Sequence, residues 1–138
     1  ELAERLTGLI SMVFDIKDQA GDDRVIIGPL PDAGIGGFDI ISAHITLHAG
    51  FSADGSNHLT ATLQDAGTDG TGTDAMASRG GASVAWAADG VYDLAMTSGD
   101  PYGIDAGDWI ALNLDETGTV AYAGTLTVWA VAGQRGSA

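Results

Sequence analysis

The sequence contains no cysteine. That removes disulfide frameworks, thiolate metal sites and cysteine nucleophiles together, and leaves packing as the source of stability. Positive charge is also scarce. Five Lys and Arg stand against nineteen Asp and Glu, for a formal net charge of -14. Such a surface repels a phosphate backbone at every point of approach, so nucleic acid is not an expected partner. Lys17 is the single lysine, and without a Gly-Lys-Ser/Thr sequence there is no phosphate-binding loop. No apolar run approaches the roughly 18 residues of a membrane span, so a membrane is not an expected partner either. The first ten residues, Glu1 to Ile10, lack the basic stretch and apolar core of a signal peptide, which speaks against export.

What is present is a chain of 138 residues, 45% of them hydrophobic, enough for one core and one domain. Its 21 glycines cluster between short apolar runs and do not recur at a fixed period, which excludes collagen and solenoids. The runs alternate. From Ile41 to Leu47 the odd positions Ile41, Ala43, Ile45 and Leu47 are apolar and the even ones polar, the period of two expected of a half-buried strand. His58 to Leu63, Ile110 to Leu114 and Leu126 to Ala130 repeat the pattern. Met12 to Ile16, Arg24 to Leu30, Ala82 to Ala87 and Val91 to Met96 are weaker strand candidates, bringing the count to about eight. The expected fold is all-β: a jelly-roll-like antiparallel β-sandwich. Near the start, Leu2, Leu6, Leu9, Ile10 and Val13 fall on one helical face. Residues 1–23 are therefore expected to form an amino-terminal arm or short helix and a first strand, and residues 24–138 the sandwich.

The residues that could carry chemistry are few. His44 and His48 lie four apart on one strand, hence about 13 Å apart on one face, too far to share one metal ion within a chain. A polar face or a subunit interface suits them better, with a metal on a symmetry axis as the remaining use. Asp65, Asp69 and Asp74 place three carboxylates in a glycine-rich loop, the oxygen chemistry calcium favours, but without EF-hand spacing. A solvated turn accounts for them more simply. Asp105-Ala-Gly-Asp108 is turn chemistry, with Gly107 taking the awkward dihedral. Gly81-Ala-Ser83 lacks the second glycine of a nucleophile elbow, and Gly34-Ile-Gly36-Gly37 does not continue into a dinucleotide fingerprint. Trp109 and Trp129 fall opposite the inward sets of their strands, so they either face solvent or pack in an interface, and Trp86 joins them as a candidate sugar-stacking platform.

Taken in order, Ile27-Gly-Pro-Leu-Pro31 leads into the long alternating strand, Leu59 to Leu63 precedes Asp65-Ala-Gly-Thr, Ala106-Gly-Asp108 opens a strand, and Thr117-Gly-Thr119 precedes the closing strand at Leu126 to Val128. This order resembles the small all-β structural proteins of tailed bacteriophage virions, especially jelly-roll capsid decoration (cement) and head-fibre proteins, over about Arg24 to Ala132. The resemblance implies a non-enzymatic protein with no catalytic residues to transfer, a homotrimer or other symmetric assembly, the major capsid protein as partner, and a place on the capsid surface. On that reading Trp109, Trp129, His44 and His48 contribute to contacts between subunits. The acidic balance departs from the family and suits a saline habitat, where salt screens self-repulsion. A carbohydrate-binding adhesin or fibre tip is the alternative, with exposed tryptophans on the glycan and calcium held by Asp65, Asp69 and Asp74. A hydrolase on the same scaffold would need a carboxylate pair in a cleft.

Overall fold

A computed structural model describes residues 9–17, 21–31, 37–97, 101–120 and 122–133. These residues contain ten strands and no helix: β1 (Leu9–Ile16), β2 (Asp23–Ile27), β3 (Gly37–Leu47), β4 (His58–Gly67), β5 (Asp74–Gly80), β6 (Tyr92–Asp93), β7 (Ala95–Met96), β8 (Tyr102–Asp105), β9 (Trp109–Thr117) and β10 (Gly124–Gly133). Every pairing is antiparallel. Sheet A runs β1-β10-β3-β6, with β8 also on β3, and sheet B runs β2-β9-β4-β5-β7.

The pairs nest: β1 with β10, β2 with β9, β3 with β8, β4 with β5. One long hairpin closed at the β4–β5 turn has been rolled so that its successive pairs fall alternately in the two sheets. That is the jelly roll expected from the alternating apolar runs. β10 then meets β3, and β9 meets β4, where the roll closes on itself.

Between the sheets lies one core. Phe14, Ile40, Ala43, Ile45, Leu47, Leu126 and Val128 enter it from sheet A, and Leu59, Ala61, Leu63, Ile110, Leu112 and Leu114 from sheet B. Each large aliphatic or aromatic side chain taken fully from water contributes about 1.5–3 kcal/mol. Trp86 and Tyr122 are also buried, and the Tyr122 hydroxyl donates to the Gly21 carbonyl at 3.0 Å.

The local reading needs correction at four places. Ile41 is not inward: the β3–β10 register slips between Trp129 and Ala130, so Ser42 faces Trp129 while Ile40 faces Ala130. Ile41 is the extra residue of a bulge. The inward set changes parity there, from Phe38 and Ile40 to Ala43, Ile45 and Leu47. Second, Ala82 to Ala87 forms no strand beyond one isolated bridge between Phe51 and Trp86. Third, Val91 to Met96 divides into two two-residue strands, β6 in sheet A and β7 in sheet B, with buried Leu94 at the crossing. Fourth, Leu9, Ile10 and Val13 of the helical stripe lie in β1, while Leu2 and Leu6 fall outside the described residues. β5 and β8 occupy stretches with no strand signal in the sequence.

Candidate functional site

The outer faces of the two sheets differ, and the difference locates the candidate surface. On sheet B the chain covers part of its own face, although Ile26 on β2 stays 43% exposed. Arg24, on β2, reaches across β9 and donates from Nε to Gln64 Oε1 at 3.2 Å, from Nη1 to the Gly70 carbonyl at 2.9 Å and from Nη2 to the Gly72 carbonyl at 2.5 Å. This guanidinium holds the turn between β4 and β5 down over the sheet. Gln64, Gly70 and Ala111 are buried as a result, although Gln64 and Ala111 lie on the outward side of their strands. Trp109 is half-buried in the same cover. A Cβ added to Gly28, where φ is +149°, would lie 3.1 Å from its ring, and one added to Gly70, where φ is +78°, 3.7 Å from it. Only glycine accommodates both that backbone conformation and the approach of the indole at Gly28.

Sheet A has no such cover among the described residues. The registers place its outward side chains in rows across β1, β10 and β3: Leu9, Val131 and Asp39; Ser11, Trp129 and Ser42; Val13, Thr127 and His44; Asp15, Thr125 and Thr46. Leu9 is 55% exposed, Val13 59%, Ile41 39% and Trp129 36%. The indole thus lies between two serines, with exposed aliphatic residues to either side. Two of its rows contain no carboxylate in β1, β10 or β3, in a chain whose net charge is -14.

His44 ends the Val13 row and is tied to Asp93 of β6 by a 2.5 Å contact between Nδ1 and Oδ1. His48 lies just past β3, with its Nδ1 3.7 Å from Asp89 Oδ1. Each histidine thus has its own aspartate. Of the four residues expected at an interface, the structure brings Trp129 and His44 onto one face, sets His48 beyond its end, and places Trp109 on the other sheet under the chain's own turn. Trp86 is buried, edge-on to Tyr92 at 5.5 Å between ring centroids, with the Arg79 guanidinium 4.7 Å from its ring and 4.0 Å from that of Tyr92. It presents no platform to a sugar.

Asp65, Asp69 and Asp74 each do separate work. Asp65 accepts from the Gly67 amide at 3.0 Å and from the Tyr102 hydroxyl at 3.4 Å. Asp69 accepts from the Thr71 hydroxyl at 2.7 Å and its amide at 3.0 Å, which hold its carboxyl below the usual range, and Asp74 is exposed at the start of β5. Among the described residues, no three His, Asp or Glu side chains gather as metal ligands. The Arg24 guanidinium bonds two carbonyls of the same turn, those of Gly70 and Gly72. Nearby, Asp105 to Asp108 forms the expected turn: the Asp108 amide donates to the Asp105 carbonyl at 3.2 Å, and Gly107 has φ +87°. Burial, then the charges of Asp65 and Asp105, push the Asp108 carboxyl above its ordinary 3.8.

Leu9, Val13 and Ile41 are the surface residues that sequence reasoning missed. The first two were absorbed into a helical stripe and the third into the inward face of β3. A period of two through Ile10, Met12, Phe14 and Ile16 would have turned Leu9 and Val13 outward, but nothing local marks the bulge at Ile41. No protein-family model matches the chain, and no curated protein matches it.

Proposed function

We propose that this chain is a non-enzymatic structural protein of a virion, which binds the outside of a viral capsid and stabilises or decorates it. The observation that carries the reading is the uncovered strip of Leu9, Val13, Ile41 and Trp129 on sheet A. Several exposed apolar side chains on one face of a strongly charged protein cost solubility, and their usual return is a partner that removes them from water. Trp129 has the features of an anchor: a large ring, central in the strip, flanked by small hydroxyl residues able to form the surrounding polar contacts. The nested jelly-roll topology agrees with the resemblance to decoration and head-fibre proteins. Repetition over a shell would multiply a modest contact through avidity.

The test is to add the purified chain to empty shells of the virus that encodes it, sediment the mixture and image the pellet. Pelleting at a fixed number of copies per shell, with density on the outer surface, and loss of binding in Trp129→Ala are the expected results. A chain that stays in the supernatant at saturating concentration overturns the proposal. Glycan-array binding that a chelator abolishes would replace it with the adhesin reading.

A further inference from the structure

A sandwich has strand edges to protect, and most of those described here are blunted. β6 and β7 have two residues each and β8 has four, too short to template a partner strand. β2 has five and opens with Asp23 and Arg24, just after Asp22, charges that discourage pairing. β1 is different. It has eight residues, Leu9 to Ile16, with no charge, proline or glycine before Asp15. Among the described residues it is paired on one side only, to β10, and no further backbone hydrogen bond reaches its other side. Buried backbone groups are almost always paired, and an exposed row of them on a long apolar strand is a template for another strand.

We propose that the occupant is a second copy of this chain, its β1 antiparallel to the first about a two-fold axis at Val13, so that sheet A continues from one subunit into the other. A two-fold contact must be self-complementary, and β1 satisfies this in one register better than in its neighbours. With the axis at Val13, odd residues face odd and even face even, as the shared core side requires. Met12 then faces the partner's Phe14 and Ile10 the partner's Ile16, extending the inward face. Outward, Val13 faces its own copy, Ser11 the partner's Asp15, and Leu9 the aliphatic stem of the partner's Lys17. No carboxylate meets a carboxylate. An axis at Met12 would set Leu9 against the partner's Asp15, and one at Asp15 would set the two carboxylates against each other. Charge points the same way. Two copies at -14 each repel over most of their surfaces, and residues 9–14 form an edge with no charge of its own. The pairing stands whatever the face binds; if that face docks on a shell, the dimer doubles the docking strip and carries two Trp129 rings on it.

Sedimentation equilibrium of the full chain, together with amide exchange of β1 as a function of concentration, tests this. A monomer–dimer equilibrium is expected, with β1 amides that exchange more slowly as concentration rises. Val13→Lys places two like charges opposite each other on the axis and is expected to weaken dimerisation by about a hundredfold or more. Val13 is largely exposed, so the variant should keep the parent's circular dichroism and melt where the parent does when diluted to monomer. Trp129→Ala should dimerise as the parent does. A trimer, or a Val13→Lys variant that dimerises undiminished, overturns the proposal. So does a monomer at every concentration; if its β1 amides are also protected throughout, another segment of the same chain occupies the edge. A dimer that fails to bind shells overturns the capsid reading alone, and shell binding by a monomer overturns the pairing alone.

Discussion

Sheet B folds its own turn over Trp109 and part of its outer surface, leaving Ile26 as its exposed aliphatic residue, whereas sheet A leaves Leu9, Val13, Ile41 and Trp129 in solvent. Both sheets carry a tryptophan on the outward side of a long strand, and both strands alternate in the same way. The fate of the ring is decided elsewhere, by whether a turn can fold back over it. On sheet B the turn between β4 and β5 is rich in glycine, so it can lie flat, and Arg24 supplies three hydrogen bonds to hold it there. On sheet A no comparable turn crosses β1, β10 and β3 among the described residues. An outward tryptophan is thus part of the fold's stability in one place and a surface for association in the other.

The largest effect expected from this contrast separates the two rings. Trp109→Ala should cost about 3 kcal/mol, because it empties a space shaped by Gly28 and Gly70. Trp129→Ala should change stability by less than about 1 kcal/mol and abolish docking. Denaturant midpoints measure the first and shell binding the second. Equal losses of stability in the two variants would break the contrast.

Arg24→Met comes next. It keeps most of the aliphatic stem and removes all three hydrogen bonds, leaving Gln64 Oε1 buried beneath the turn without this donor. A loss of about 2 kcal/mol is expected, with faster amide exchange confined at first to Gly70 and Gly72. A turn that keeps its protection in this variant would mean that its own hydrogen bonds, such as Gly72 amide to Ala66 carbonyl at 2.8 Å, hold it without the guanidinium.

The fold was largely legible because the signal is local. In β4, β9 and β10 the alternation of Leu59, Ala61 and Leu63, of Ile110, Leu112 and Leu114, and of Leu126, Val128 and Ala130 needs nothing beyond the strand itself. Where a bulge enters, the rhythm breaks. In β5 the register shift sets Ala77 opposite Leu63 and Ala75 opposite Gln64, so Met76 is extra, and adjacent Met76 and Ala77 are both buried. With little else apolar in Ala75 to Gly80, the stretch gives no alternating signal. In β1 the apolar residues satisfy two periods at once: Leu9, Ile10 and Val13 suit a helix, Ile10, Met12, Phe14 and Ile16 a strand. Pairing with β10 decides in favour of the strand, and that partner lies more than a hundred residues away in sequence.

The candidate surface was less legible for the same reason. Trp129 could be placed outward from its strand alone, and so could Trp109. Only the contact between Arg24 and a turn 46 to 48 residues downstream distinguishes them. The aspartates show the same limit. Three carboxylates in a glycine-rich loop suggest a cation, whereas the hydrogen bonds that Asp65 and Asp69 accept from Gly67 and Thr71, and those Arg24 gives to the Gly70 and Gly72 carbonyls, depend on how the turn folds.

The smallest effect lies at the covered end of sheet B, where burial carries an electrostatic cost. Asp108 directly precedes Trp109, and desolvation with the nearby Asp65 and Asp105 charges raises its carboxyl above 3.8. A raised acid binds its proton more tightly in the folded state, so its ionisation lowers stability progressively as pH climbs from about 3.8 through the raised value, and the penalty is complete above it. Asp108→Asn removes that penalty. The variant should melt slightly higher than the parent at pH 7, and the gap should close as the pH falls toward 3.8. Asp69 behaves oppositely: hydrogen bonds from Thr71 lower its carboxyl, so its contribution is present at pH 7 and disappears as pH falls through its lowered value. Asp15 and Asp93, exposed on sheet A, have no comparable burial to relieve, and Asp15→Asn should leave the melting curve almost where it was. An Asp108→Asn variant that melts lower than the parent at neutral pH would mean that the carboxylate is held by favourable contacts, and that covering sheet B carries no charge penalty there.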